Sequence, residues 1–182
     1  MIVGGRQTAC GQDEKELPKV PAAILAAEAD FVTPAKVNTK AKVYFIYLSR
    51  YSCGICVAEA PSIVKTYKNM KGKGAELTMI NIDEDKETAA KWVKKEKMKF
   101  PVVAPGKGSA IPFPYDGPGT LPHMVAVDAD GNKLGQANGS GVSDFLKKWK
   151  QLVREVEKKE KEAAKAAKKA AEAERKTKND EE

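Results

Sequence analysis

Cys53-Gly54-Ile55-Cys56 places two thiols three residues apart, directly after the β-branched and aromatic run Val43-Tyr44-Phe45-Ile46-Tyr47-Leu48 and at the start of a segment with helical spacing. Residues three apart on a helix share a face, and the unpaired N–H groups of the first helical turn favour a thiolate there. The spacing therefore predicts a redox pair that can close into a disulfide. A zinc knuckle uses the same spacing, but it needs two further ligands, and the chain supplies only Cys10 and its single histidine, His123. The ligand count favours redox chemistry. A copper or zinc chaperone site made of Cys53, Cys56 and His123 is the alternative.

Thiol–disulfide exchange requires an accessible thiolate and a second thiol that resolves the mixed disulfide. Cys53, at the helix start with Arg50 three residues upstream, fits the first role. Cys56, one turn into the helix, fits the second. Glu59 lies one further turn along, in reach of the Cys56 sulfur, where a partly buried carboxylate can exchange a proton with it. A solvent-facing glutamate on an amphipathic helix is the plainer reading of Glu59, as an exposed loop residue is of Arg50.

The surrounding pattern alternates strand and helix. Residues 42–48 read as a buried strand, and 56–71 as an amphipathic helix through Val57, Ala60, Ile63, Val64 and Tyr67, ending near Gly72 and Gly74. Residues 76–82 form a second strand and 84–97 a second helix with Ala89, Trp92 and Val93 inward. The order predicts a parallel crossover with the thiols at the C-terminal edge of the first strand. A short helix over 22–29 comes earlier. Later come a short strand at 100–104, a Pro- and Gly-rich loop over 105–119 long enough to carry function, and a hairpin of 124–127 with 133–136. Its turn is at Asp128–Asn132, where Gly131 and Asn132 tolerate positive φ. A last helix starts at Ser143 as N-cap, with Phe145, Leu146, Trp149, Leu152, Val153 and Val156 on one stripe. Beyond Val156 only alanines interrupt the Lys and Glu, so the helix projects into solvent and frays before Asn179.

The chain has 182 residues, 42% of them hydrophobic, enough for one core. We expect a flexible tail over 1–21, one domain over 22–156 and a charged helical tail over 157–182. The net charge of +7 is spread along the chain without a nucleic-acid-binding motif, which reads as a solvated surface tuned at most to an acidic partner. No stretch reaches the roughly 20 apolar residues that span a bilayer. The first twelve residues lack the charged start and apolar core of a secretory signal. Thr8-Ala9-Cys10-Gly11 faintly resembles a lipoprotein processing site, so a membrane tether through Cys10 is weighed against an incidental thiol in a tail.

Over residues 42–156 the sequence resembles the thioredoxin superfamily, and within it the TlpA/ResA group of redoxins. The resemblance rests on Cys53-Gly-Ile-Cys56-Val-Ala-Glu59-Ala-Pro61, Ile80-Asn-Ile-Asp83, Phe100-Pro-Val102 and Thr120-Leu-Pro122 leading into Val125-Ala-Val-Asp128-Ala-Asp-Gly131. It implies a thioredoxin-like α/β fold, with a central mixed sheet flanked by helices and a charged C-terminal helical extension. It also implies thiol–disulfide oxidoreductase activity on protein disulfides or dithiols without an organic cofactor. Cys53 would be the nucleophile, Cys56 the resolving thiol and Glu59 the acid–base group. Ser52, Leu121 and a cis Pro122 would bind substrate, the Leu121 backbone pairing with an extended peptide. Two departures stand out: Ser52 replaces the usual tryptophan, and Tyr47 stands where thioredoxins proper carry a buried acid. The Pro/Gly loop also replaces the helix that usually precedes the proline. The resemblance points outside the cytoplasm, to the periplasm or cell envelope, while the visible N-terminus carries no export signal. A redoxin module that only binds a partner, through its loop and tail helix, is the third reading.

Overall fold

The first strand, β1 (Val43–Ser49), sits at the centre of the molecule because nearly every residue in it is apolar or aromatic, and both of its faces are covered. The period-two alternation of a strand sends Val43, Phe45 and Tyr47 into one hydrophobic cluster and Tyr44 and Ile46 into the other. The computed structural model describes residues 19–179. In it five strands run in the order β3-β2-β1-β4-β5. β2 (Ala75–Asn81) and β3 (Val102–Val103) continue parallel from β1 on one side. β4 (His123–Asp128) and β5 (Lys133–Asn138) are antiparallel on the other. This is the mixed sheet that the family resemblance implies, and it contains the predicted parallel crossover and hairpin.

Helix α1 (Lys19–Ala26), which starts earlier than its predicted 22, covers one face of the sheet through Val20 and Ile24. The other face is covered by α2 (Gly54–Met70), α3 (Lys86–Glu96), α4 (Val142–Lys147) and α5 (Trp149–Asn179). Ile63, Tyr67, Trp92, Leu146, Trp149 and Leu152 meet Phe45 and Tyr47 there. In the β4–β5 turn only Gly131 takes positive φ, at +93°, and Asn132 instead donates both its backbone and side-chain N–H groups to the Asp128 carboxylate.

The predicted single C-terminal helix is two, broken at Lys148, and Ser143 is not its cap. Gly141 precedes α4 without a side-chain bond, and the Ser143 N–H donates instead to Glu59 Oε2 of α2 at 3.0 Å. A carboxylate from a neighbouring helix thus satisfies one of the free donors at the helix start. The α5 extension stays helical through Asn179 because Ala, Lys and Glu have high helix propensity. A Lys42–Glu160 ion pair at 2.8 Å ties its beginning to the body. The N-terminal tail and Cys10 lie outside the described residues.

Candidate active site

The turn between β1 and α2 carries the thiols. Cys53 is the residue that caps α2, with extended backbone, and its sulfur accepts the Cys56 N–H at 3.3 Å. It stands just outside the first helical turn, doing the work an N-cap oxygen usually does. Cys56 falls on the inward face of α2 and is fully buried, whereas Cys53 is half-buried; both thiols are free. Burial pushes the Cys56 thiol up to about 11; the Arg50 amide and the Ser49 hydroxyl, as donors that favour the thiolate, oppose that rise, and the neighbouring Cys53 adds to it. The exposed Arg50 thus reaches the pair through its main chain, and its carbonyl also accepts the Cys53 N–H at 3.4 Å.

Beneath the sulfurs lies a feature with no counterpart in the predicted site. Ser49 Oγ donates to Tyr47 Oη at 2.9 Å, and both residues are fully buried. Burial raises the Tyr47 hydroxyl far above its ordinary value; the Ser49 bond opposes that rise, and the charges of Cys56, Glu59 and Cys53 add to it. Glu59 is half-buried, with one carboxylate oxygen committed to Ser143.

The loop before Cys53 is held from β2. Asp83 Oδ1 accepts the Tyr51 N–H at 2.8 Å, while its other oxygen accepts from Asn81 Nδ2 at 2.8 Å and its own N–H donates to Asn81 Oδ1 at 2.9 Å. Asp83 was visible in the sequence only as the end of a strand. Tyr51 stacks at a tilt over the buried Trp92, 6.0 Å between centroids, with Lys95 above its ring at 5.3 Å.

Leu121-Pro122 is a cis peptide. The Leu121 carbonyl lies 4.0 Å from the Cys53 sulfur, so the proline loop borders the accessible thiol. Leu121 is half-buried, Pro122 buried and Ser52 exposed, while Ile55, between the cysteines, is the exposed large apolar side chain among the described residues. Residues 105–121 contain no helix, and Phe113 and Tyr115 pin that loop by stacking on each other at 5.9 Å.

His123 does not join the cysteines. It lies on the face of β4 shared with Val125 and Val127, packed with the second cluster, while Met124 and Ala126 face the cluster that contains Cys56. Its ring stacks on Tyr115 at 4.1 Å, its Nε2 is buried without a hydrogen-bond partner, and burial lowers its pKa. The alternative Cys53–Cys56–His123 ligand set is therefore not assembled, because strand parity puts the imidazole on the other side of the sheet. Among the described residues no group of three or more His, Cys, Asp or Glu side chains is placed to hold a metal ion.

Comparison with known proteins agrees with this arrangement. Solved structures with similar folds include StoA from Bacillus subtilis, 19% identical with a TM-score of 0.52 over 61% of this chain and 84% of that one. A putative thiol:disulfide interchange protein DsbE from Chlorobium tepidum is 22% identical, with a TM-score of 0.52 over 63% and 81%. A DsbF homologue from Corynebacterium diphtheriae is 15% identical, with a TM-score of 0.51 over 64% and 79%. At these identities the likeness is one of fold. No curated protein sequence matches the chain. Residues 13–141 match the family described as Redoxin, a span that takes in β1, both thiols, Glu59, the cis proline and both strands of the hairpin. The chain belongs to the Redoxin family, built on the thioredoxin-like fold with Cys53 and Cys56 as its thiol pair.

Proposed function

We propose that this redoxin exchanges disulfides with protein partners, Cys53 acting as nucleophile and Cys56 as the resolving thiol. The observation that carries the reading is the asymmetry of the pair: a half-buried Cys53 at the helix cap beside the cis Leu121-Pro122 bond, over a fully buried Cys56. In the reducing direction the Cys53 thiolate attacks a partner disulfide, and one partner sulfur leaves as thiolate. Cys56 then loses its proton and attacks Cys53 Sγ; the Cys53–partner bond breaks, the Cys53–Cys56 bond forms, and two electrons have passed to the partner. Glu59 takes the Cys56 proton on the carboxylate oxygen not bound to Ser143. The exposed Ser52 and half-buried Leu121 flank the incoming chain, Pro122 supports Leu121, and Ile55 offers it an apolar contact.

Trapping tests this. Cys56→Ser should accumulate covalent mixed disulfides through Cys53 that dissolve on reduction, and Cys53→Ser should trap none. Partner binding that persists unchanged in Cys53→Ser, with no covalent adduct in Cys56→Ser, would replace exchange by a binding module. We further propose an extracytoplasmic site of action, supported by the resemblance to the TlpA/ResA group; fractionation of the source cells that placed the protein with cytoplasmic markers would overturn it.

A further inference from the structure

The Ser49–Tyr47 pair is unexplained by packing. Burying hydroxyls costs free energy unless they are hydrogen-bonded, and an apolar pair would fill the end of β1 without that cost. Both side chains sit on the face of β1 turned toward α2, as their two-residue separation requires, and both are fully buried, as is Cys56. A serine hydroxyl has one rotatable proton and two lone pairs, and a phenol likewise both donates and accepts. The 2.9 Å bond from Ser49 to Tyr47 can therefore run in either direction.

We propose that Ser49 and Tyr47 are positioning residues forming a two-hydroxyl relay that reverses direction when Cys56 becomes a thiolate. With Cys56 protonated, Ser49 donates to Tyr47. When the proton leaves for Glu59, the Ser49 O–H turns to the Cys56 sulfur and the Tyr47 O–H turns to Ser49 Oγ. The new charge thereby gains a charge-assisted hydrogen bond, and neither hydroxyl is left unpaired. The relay moves no proton to the partner; it stabilises the thiolate that makes the Cys53–Cys56 bond and releases the partner thiolate. The titratable groups that act on this network are Cys53 at the cap of α2, Glu59 on α2 and Tyr47 itself on β1. The Ser49 hydroxyl and the Arg50 amide are the donors that favour the Cys56 thiolate, against its burial.

This inference rests on the exchange reading, and its test separates the two. In a Cys53→Ser background of the full chain, Cys56 ionisation is followed by thiolate ultraviolet absorbance against pH. Adding Ser49→Ala should raise its midpoint by about one pH unit, the worth of one hydrogen bond to a charged group, and Ser49→Thr should leave it near the parent. Tyr47→Phe should raise it by less, and Tyr47→Phe combined with Ser49→Ala should match Ser49→Ala alone, because Tyr47 acts only through Ser49. With both cysteines present, Ser49→Ala should slow resolution about tenfold at neutral pH and recover as pH rises above the midpoint, which a packing defect would not do. An unshifted midpoint in Ser49→Ala, or additive shifts in the combined variant, overturns the relay. Failure of the unaltered cysteine pair to cycle would overturn the exchange reading instead, since the Cys56 midpoint is measured without turnover.

Discussion

The two ends of the central sheet each bury an ionisable group and treat it in opposite ways. At the far end, Glu76 at the start of β2 is buried, and its carboxylate accepts the Asn38 and Leu77 backbone N–H groups, both at 2.8 Å. Tyr44, its neighbour on β1, donates to the Asn38 carbonyl at 3.2 Å. At the near end, the buried Cys56 shares one hydrophobic cluster with Tyr47, and the hydroxyl protons of Tyr47 and its partner Ser49 can rotate. Backbone amides cannot reorient, so Glu76 is fixed in place and ties the 38–40 segment to the sheet. Hydroxyl donors can follow a change of charge. Under the proposed exchange, the difference separates a buried group that builds the fold from one that reacts within it.

The largest effect that sharpens this contrast is at the near end. Cys53→Ser should reduce exchange turnover to the uncatalysed background while the thermal unfolding midpoint stays at its unaltered value; a parallel loss of stability would mean that the capping thiol is a structural element first. At the far end, Glu76→Ala leaves the buried Leu77 amide and the half-buried Asn38 amide without their acceptor and should cost about 2 kcal/mol in denaturant unfolding, with the rate per folded molecule unchanged. Loss of activity without loss of stability in that variant would break the comparison.

Asp83 bridges the two roles, because its structural bonds hold the loop that carries Tyr51 and the thiols. Asp83→Ala should cost about 1–2 kcal/mol and also slow exchange, the combined signature of a group that positions reactive atoms. A stability loss with unchanged rates would place Asp83 with Glu76. The smallest effect is a pH slope. Burial raises the Glu76 pKa despite its amide bonds, so the native state keeps this proton where the unfolded chain has lost it. Stability contributed by Glu76 is therefore full below the ordinary glutamate pKa near ~4.3 and falls as pH rises through the raised native value. Glu76→Gln should flatten that fall in urea titrations across the same window. A slope that is unchanged, or that steepens, would assign the linkage elsewhere.

Much of this was legible beforehand because periodicity and thiol spacing are local signals. The runs around Phe45, Ile63, Met79, Trp92 and Val125 placed the strands and helices that bring Cys53 and Cys56 to the end of β1. Other features depend on contacts that no local pattern carries. Ser143 looks like an N-cap by type, yet the donor at the start of α4 is met by Glu59, eighty-four residues away in the chain. No glycine or proline marks the break at Lys148. The role of Asp83 appears only when β2 is laid beside the 50–53 turn. The parity of His123 was readable, since it lies two residues before Val125 in the same strand, and counting it would have taken the imidazole away from the thiols. Tyr47 was visible as a substitution, but its hydroxyl partner Ser49 emerges only when both are seen buried on one face.

The central claim is that Cys53 and Cys56 act as one two-electron couple. Equilibrating the full chain in thiol/disulfide buffers of graded potential, alkylating the remaining thiols and weighing the products tests it most directly. The account predicts a single reversible transition in which both cysteines lose and regain alkylation together, with one disulfide formed between them. Independent titration of the two sulfurs, or a pair that cannot be driven through a disulfide at any potential, would contradict it.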